Sequence, residues 1–349
     1  MVNNNFPILT IVISTYNRNS LLQENLNKIL ENKNNTFRII VGDNASTDNT
    51  WDMLQSIGDD RFTCKRNEKN LGISNVMLLD YDVETKYFIN LNDRDYIKSE
   101  DIDKLCAFLY KVENFEMCSL FPHKRAKKGK CSADKFINEF YLANHPGYLI
   151  YNTDYYKQSI NKNSLDIFFK ENDMIDLSNY AYIQLLYNLK LGYCYPIQLI
   201  QQPKNRDKSI PQTRKELYGV AYVLPEYHMG AIKSLIDFVT KVNYDNKMKI
   251  GKLIIGTFDF ALNKIGPEYF FSSTRSDFRK RNHMEDASPW KCFHNIAVLT
   301  KYVESLESIS IYGITKTIKL HGIKSYILMI IRMFRRLRGT FRAIFYRYY

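Results

Sequence analysis

Three short polar stretches each follow an apolar run, and each is rich in groups that can hold a ligand. Thr15-Tyr16-Asn17-Arg18 follows the run ILTIVI at 8–13 and one serine. Gly42-Asp43-Asn44-Ala45-Ser46-Thr47-Asp48 follows FRIIV at 37–41, placing two carboxylates, an amide and two hydroxyls on one turn. Asn92-Asp93-Arg94-Asp95 follows YFINL at 87–91. One such turn is what any surface loop tolerates. Three at successive strand ends converge on the carboxyl edge of a parallel sheet, where ligands of open α/β folds bind. That edge is where a nucleotide would sit.

The elements that must position these stretches alternate between strand and helix. The β-branched run at 8–13 suits a strand covered on both faces. A helix from Ser20 follows, with Ser20 and Gln23 as a capping box and Leu22, Leu26, Ile29 and Leu30 as its buried stripe. After the strand at 37–41, Ser46 or Thr47 caps a helix that buries Trp51, Leu54 and Ile57. A strand at 61–66, a helix at 73–80 and a strand at 87–91 complete the alternation, which predicts a doubly wound α/β sheet. Beyond residue 112, strands are expected at 117–121 and 147–152, a helix over 178–192 stopped by Gly192, and an extended segment at 193–200. From about residue 212 the pattern is helical.

TIVISTYNR, VGDNASTDNT, NEKNLGISN and FINLNDRDYI, in this order and at these spacings, resemble the family 2 glycosyltransferases of the GT-A fold over roughly residues 7–200. The resemblance implies a GT-A nucleotide-diphospho-sugar-binding fold with a mixed, doubly wound sheet, followed by a helical C-terminal region. With the helical pattern and the charge of the C-terminal stretch, three parts are expected: a transferase domain over 1–210, helices over 211–322 and a basic tail over 323–349. It implies a nucleotide-diphospho-sugar donor (a UDP-sugar above all), a divalent Mn²⁺ or Mg²⁺ ion and an inverting transfer.

Residue by residue, Thr15, Tyr16 and Arg18 match positions near the nucleoside, and Asp43, with Asn44 beside it, matches the carboxylate that receives the uracil N–H. Asn92, Asp93 and Asp95 match the D-x-D element near ribose and metal, with Asp93 and Asp95 as metal ligands. Carboxylate and phosphate oxygens together suit such hard cations. Ser74 and Asn75 stand where relatives often carry an Arg-Asn pair, and Arg94 interrupts the acidic run common in relatives. The catalytic base falls in FFKENDMIDLSNY, among Glu171, Asp173 and Asp176, with Asp176 nearest the helix start; an ordinary helix N-terminal acid is its other reading. HPGYLIYN resembles the acceptor-side segment, with His145 and Gly147 at the acceptor. The loop QQPKNRDKS offers Lys204 and Arg206 to a diphosphate or to solvent.

Composition bounds the remaining classes. The 45% hydrophobic content supports a globular core, and six cysteines without a CxxC pair argue against a zinc module or a disulfide framework and fit a reducing cytoplasm. The N-terminal apolar run lacks a basic flank and reads as a strand, not a signal peptide. After Glu307 there is no acid but there are nine Lys and Arg; removing them from the net charge of +12 leaves +3 on the first 307 residues. KSYILMIIRMFRRLRGTFRAIFYRYY interleaves arginine with aromatic and aliphatic residues, but its longest apolar run is six residues, against about 20 for a membrane span. It suits the surface of an anionic membrane. The expected enzyme therefore works at the inner face of the cell membrane, as a peripheral cytoplasmic protein. Its acceptor is a saccharide or lipid-linked saccharide in surface-polysaccharide (capsule) synthesis, and nucleic acid is not a partner. A GT-A-like domain that binds nucleotide-sugar or polysaccharide without turnover is the alternative, motivated by the altered N-D-R-D element.

Overall fold

Uninterrupted β-branched runs bury both faces of a strand, and the first such run forms the middle of the parallel half of the sheet. Strand β1 (Leu9–Thr15) pairs in parallel with β2 (Phe37–Asp43) on one side and β4 (Tyr87–Asn92) on the other. In the computed structural model, residues 6–72, 74–112, 114–122, 127–143, 146–160, 177–201, 225–242, 244–263, 291–306, 309–310 and 312–345 are described. The chain divides into two compact units, Met1–Lys208 and Ser209–Tyr349.

The first unit adds β3 (Phe62–Arg66), β5 (Tyr96–Ile97), β6 (Met117–Ser119), β7 (Gly129–Ser132), β8 (Leu149–Asn152), β9 (Leu191–Cys194) and β10 (Ile200–Gln201). Eight strands form one mixed sheet in the order β3-β2-β1-β4-β8-β6-β9-β7, and β10 pairs with β5 separately. The half from β3 to β4 is parallel, whereas β8 runs antiparallel to both β4 and β6. Helices α1 (Asn19–Leu30), α2 (Thr50–Gln55), α3 (Ser74–Asp80), α4 (Ser99–Lys111), α5 (Ala133–Ala143), α6 (Thr153–Ser159) and α7 (Leu177–Asn188) connect them. Ile11, Ile13, Leu22, Leu26, Ile39, Val41, Ile89 and Leu105 belong to one buried core. The expected mixed doubly wound sheet is the one observed.

Two expected caps are not. Helix α1 begins at Asn19 with Arg18 as its N-cap and no side-chain cap, so Ser20 and Gln23 form no capping box. Its first N–H groups are met from across the site instead: Arg18 N donates to Thr50 Oγ1 at 3.1 Å and Asn19 N to Asp48 Oδ2 at 3.5 Å. Helix α2 is likewise not capped by Ser46 or Thr47; Asp48 Oδ1 accepts from Thr50 N at 3.0 Å. Gly192 also stops no helix. It lies inside β9, where a Cβ would meet the Phe136 ring at 2.4 Å, so glycine is what lets α5 sit on the strand.

The second unit packs α8 (Pro225–Val242), α9 (Lys247–Asn263), α10 (Lys291–Ser305) and α11 (Thr315–Phe345). Ile232, Leu235, Ile236 and Val239 of α8 repeat at helical spacing and are buried, as are Ile250, Leu253, Ile254 and Phe258 of α9. Helix α11 contributes Ile318 to this core and runs on unbroken for 31 residues.

Candidate active site

The parallel half of the sheet brings the three polar stretches to one edge. Thr15 Oγ1 donates to Asp93 Oδ2 at 3.2 Å, which ties the end of β1 to the turn after β4. Asn44 N donates to Thr15 O at 2.9 Å, which ties it to the end of β2. Asn17 takes a positive φ of 51°, accepts Thr47 N on Oδ1 at 2.8 Å and donates its own N–H to Ser46 Oγ at 2.9 Å. Ala45 also sits in the left-handed region, at φ 64°, a conformation that costs a residue with a Cβ roughly 1–2 kcal/mol. The loop is held in that strain by its neighbours. Tyr16 lies half-buried beside it.

Asp43 is fully buried. Its Oδ1 accepts Ser46 N at 3.1 Å, closing the turn, while Oδ2 has no hydrogen bond among the described residues and faces Arg66 Nε at 3.3 Å. Arg66 also donates to Ser46 O at 2.8 Å and lies over the Trp51 ring. Asn44 has a different task. Its amide donates to Asn70 Oδ1 and Gly72 O and its oxygen accepts Leu71 N and Asn67 Nδ2, so all four capacities bind the loop after β3. Asn75 does the same within the core, donating to Ser14 Oγ at 2.8 Å and Gly42 O at 2.9 Å. Gly42 permits this approach, since a Cβ there would meet Leu79 at 2.5 Å and the Asn75 amide at 3.0 Å. In this structure Asn44 and Asn75 shape the site and present no free polar atom to a ligand.

Asp93 and Asp95 follow β4 directly. Arg18 Nε stands 3.9 Å from Asp93 Oδ2. Burial pushes the Asp93 carboxyl up, Arg18, Arg94 and the Thr15 hydroxyl pull it down, Asp95 adds repulsion, and the net direction is up. Asp95 is 2% exposed and accepts Asn92 Nδ2 at 3.2 Å. Two carboxylates that repel each other on a sheet edge, Asp95 buried and Asp93 partly buried, are chemically suited to a hard cation, which can complete its shell from phosphate and water. No group of three or more acidic, His or Cys side chains able to hold a metal occurs among the described residues.

On the acceptor side, Gly147 is buried in a single helical turn at Pro146–Tyr148. His145, Glu171, Asp173, Asp176, Lys204 and Arg206 lie outside the described residues, as does the Ser74 side chain, although Ser74 opens α3. Helix α7 starts at Leu177, and its Ala181, Tyr182 and Leu185 line a cavity of about 170 Å³ together with Asn92 and Asp93. The helix that follows the candidate bases is thus built against the D-x-D turn.

Three contributors escape the sequence reading: Asn25, which donates from α1 to Asp93 O at 3.1 Å, Arg66, and Asp80, which lines the same cavity. Asn25 and Asp80 share a legible signal. Each is a polar residue on the apolar stripe of its helix, three positions after Leu22 and Met77 respectively, and each is 1% exposed.

Residues 10–173 match the family described as Glycosyl transferase family 2. An uncharacterized glycosyltransferase of Haemophilus influenzae is 28% identical over 113 residues, a match covering 32% of this chain and 35% of the relative, about a third of its length. The crystal structure of S. aureus TarS 1-349 is similar in fold, with a TM-score of 0.54 at 12% identity, covering 92% of this chain and 89% of that one. The same protein in complex with UDP-GlcNAc gives a TM-score of 0.52 at 14% identity, over 92% and 90% of the two chains. The match to that family spans the strand ends that carry Thr15, Asp43 and Asp93, and the mixed α/β fold is similar to that of the TarS structures.

Proposed function

We propose that the protein transfers a sugar, with inversion, from a UDP-sugar to a saccharide or lipid-linked saccharide acceptor during surface-polysaccharide synthesis at an anionic membrane surface. The observation that carries this reading is the joining of three strand ends through Thr15, Asn44 and Asp93 on one edge. The uracil N–H is received by Asp43 Oδ2, the oxygen left without a hydrogen bond. Asp93 and Asp95 would hold the Mn²⁺ or Mg²⁺ ion, which as a Lewis acid would supply charge stabilisation on the departing nucleotide. Arg18 stands beside them within reach of phosphate. A screen of nucleotide-sugars for metal-dependent thermal stabilisation, followed by product analysis with the best donor, tests the reading; no stabilisation by any of them would reject it.

Asp43→Ala should weaken UDP binding more than it slows transfer from bound donor. A hydrogen bond to a charged acceptor contributes about 1.5–3 kcal/mol, or roughly ten- to hundredfold in Kd. Calorimetry with UDP reads this directly, and unchanged affinity removes Asp43 from the site.

The membrane part of the proposal rests on α11. Leu320, Ile323, Ile327, Ile330 and Ile331 recur at helical spacing and are 40–56% exposed, flanked by exposed Lys319 and Lys324. No acid follows Glu307, so a second copy of this helix would meet like charge whereas an anionic bilayer would not. No described helix is long and apolar enough to cross a membrane. Truncation after Ser325 removes six arginines and the outer half of the stripe but keeps buried Ile314 and Ile318. The truncated protein should keep its circular dichroism and its donor affinity but stop floating with anionic liposomes. Full-length binding should weaken with salt without vanishing, because the apolar contribution is not screened. Full-length protein that never floats would refute membrane association.

A further inference from the structure

The cavity that Asp93 lines is also lined by a carboxyl group that the transfer chemistry above does not use. Asp80, at the end of α3, is 1% exposed and lines the cavity with Asn90, Asp93, Tyr151, Tyr156 and Tyr182. Asn90 Nδ2 donates to Asp80 Oδ2 at 3.3 Å. The other oxygens of this pair, Asp80 Oδ1 and Asn90 Oδ1, are buried with no partner at full hydrogen-bond geometry among the described residues, and the Tyr156 hydroxyl beside Asp80 makes only a loose contact with its carboxyl. Buried acceptors left unmatched are costly, and native proteins rarely keep them without a use. The space of about 170 Å³ far exceeds the ~30 Å³ share of one water.

We propose that this cavity receives the transferred sugar ring, and that Asp80 with Asn90 reads its hydroxyl or amino hydrogens. The inference rests on the glycosyltransferase reading and names the part of the site that selects the sugar. Two adjacent acceptor oxygens match a ligand that presents adjacent donors, as vicinal hydroxyls do. Three tyrosines supply flat walls for the C–H faces of a pyranose, the usual composition of a small-molecule site with few convergent polar groups. Asp93 lines the same space, so a ring placed there hangs next to the diphosphate it must leave. Asp80 touches no nucleotide atom in this arrangement and should be silent toward UDP alone.

Burial supports the assignment. It pushes the Asp80 carboxyl up to about 7, against the pull of the Tyr156 hydroxyl and the Asn90 amide. Tyr151 and Tyr156 are the titratable groups that face it, and both feel its charge. An acid whose folded-state value lies above its ordinary 3.8 costs the empty fold stability as pH rises from about 4 to about 7. A carboxyl kept at such a position harms the empty protein and is compensated by the ligand.

Asp80→Asn tests this without changing volume, because the amide can keep its oxygen toward Asn90 and turn a donor into the cavity. UDP, UDP-glucose, UDP-galactose and UDP-N-acetylglucosamine are titrated against both proteins by calorimetry, with Mn²⁺ present. The variant should bind UDP within about twofold of wild type and lose about tenfold or more of affinity for whichever UDP-sugar wild type prefers. Its Tm without ligand at pH 8 should equal or exceed wild type, which shows that the loss is not misfolding. Equal loss toward UDP and UDP-sugars, or no loss toward either, overturns the sugar assignment while UDP binding by wild type leaves the transferase reading standing. A variant less stable than wild type at pH 8 overturns it too, since Asp80 is then a structural member of the core. Wild type that binds none of the four overturns both readings.

Discussion

Asp95→Ala is expected to abolish metal-dependent transfer while the protein stays folded. The turn that carries Asp95 is closed by its main chain, Asp95 N donating to Asn92 O at 3.0 Å, so removing the carboxylate leaves the turn's own hydrogen bond in place. What is lost is half of the acidic pair on the sheet edge. Arg18 and Arg94 already answer part of the Asp93 charge, and neither would supply the Lewis acidity of a divalent ion. Removing one preorganised stabiliser of developing charge commonly costs about 10²–10³ in rate. Loss of the ion itself should cost at least that. Initial rates with and without excess EDTA, with circular dichroism of the variant, read the result. Wild-type turnover that survives EDTA, or a variant within a few-fold of wild type, would remove the metal from the mechanism.

Asp176→Asn should lower kcat by about 10²–10⁴ with UDP-sugar affinity unchanged, the range of a lost general base. In sequence the residue directly precedes α7, which starts at Leu177. One turn and more into that helix, Ala181, Tyr182 and Leu185 face the cavity shared with Asp93, so the helix start lies on the site's side of the domain. Single-turnover rates at saturating donor separate chemistry from binding. If Asp173→Asn or Glu171→Gln shows the loss instead, the base is that residue; if none of the three does, it lies elsewhere in the fold.

The parallel half of the sheet was legible because its signals are local. The runs at 8–13, 37–41 and 87–91 could hardly be anything but strands covered on both faces, and polar residues after each mark the edge. The caps were illegible because their partners are remote. The α1 N–H groups are met by Thr50 and Asp48, about thirty residues on, and a Ser-x-x-Gln pattern cannot report a competitor that far along the chain. Gly192 misled for the same reason: its need comes from Phe136, packed against it from another helix. At the site, residue type located Asp43 and Asp93 correctly on the edge, but it could not separate a ligand-facing amide from one like Asn44, whose four hydrogen bonds all stay within the protein. Arg66 gave no pattern at all, since a basic residue at a strand end is commonplace.

The switch from parallel to antiparallel pairing at β4 has a consequence for synthesis on the ribosome. Strands β1 to β4 and their helices are contiguous in the chain, so the nucleotide half can assemble as its residues emerge. One long side of β4 then has no neighbour until Leu149–Asn152 arrive, because β8 is the strand that covers it. During that interval an apolar strand with open backbone groups is exposed to other nascent chains. Helix α4 and β6 are made in the meantime, and β6 pairs with β8 and not with β4. The order of strands therefore makes residues 149–152 the step that covers β4, with β9 at 191–194 still to join β6 and β7, and slow translation between residues 92 and 149 would prolong the period in which the half-built domain can aggregate.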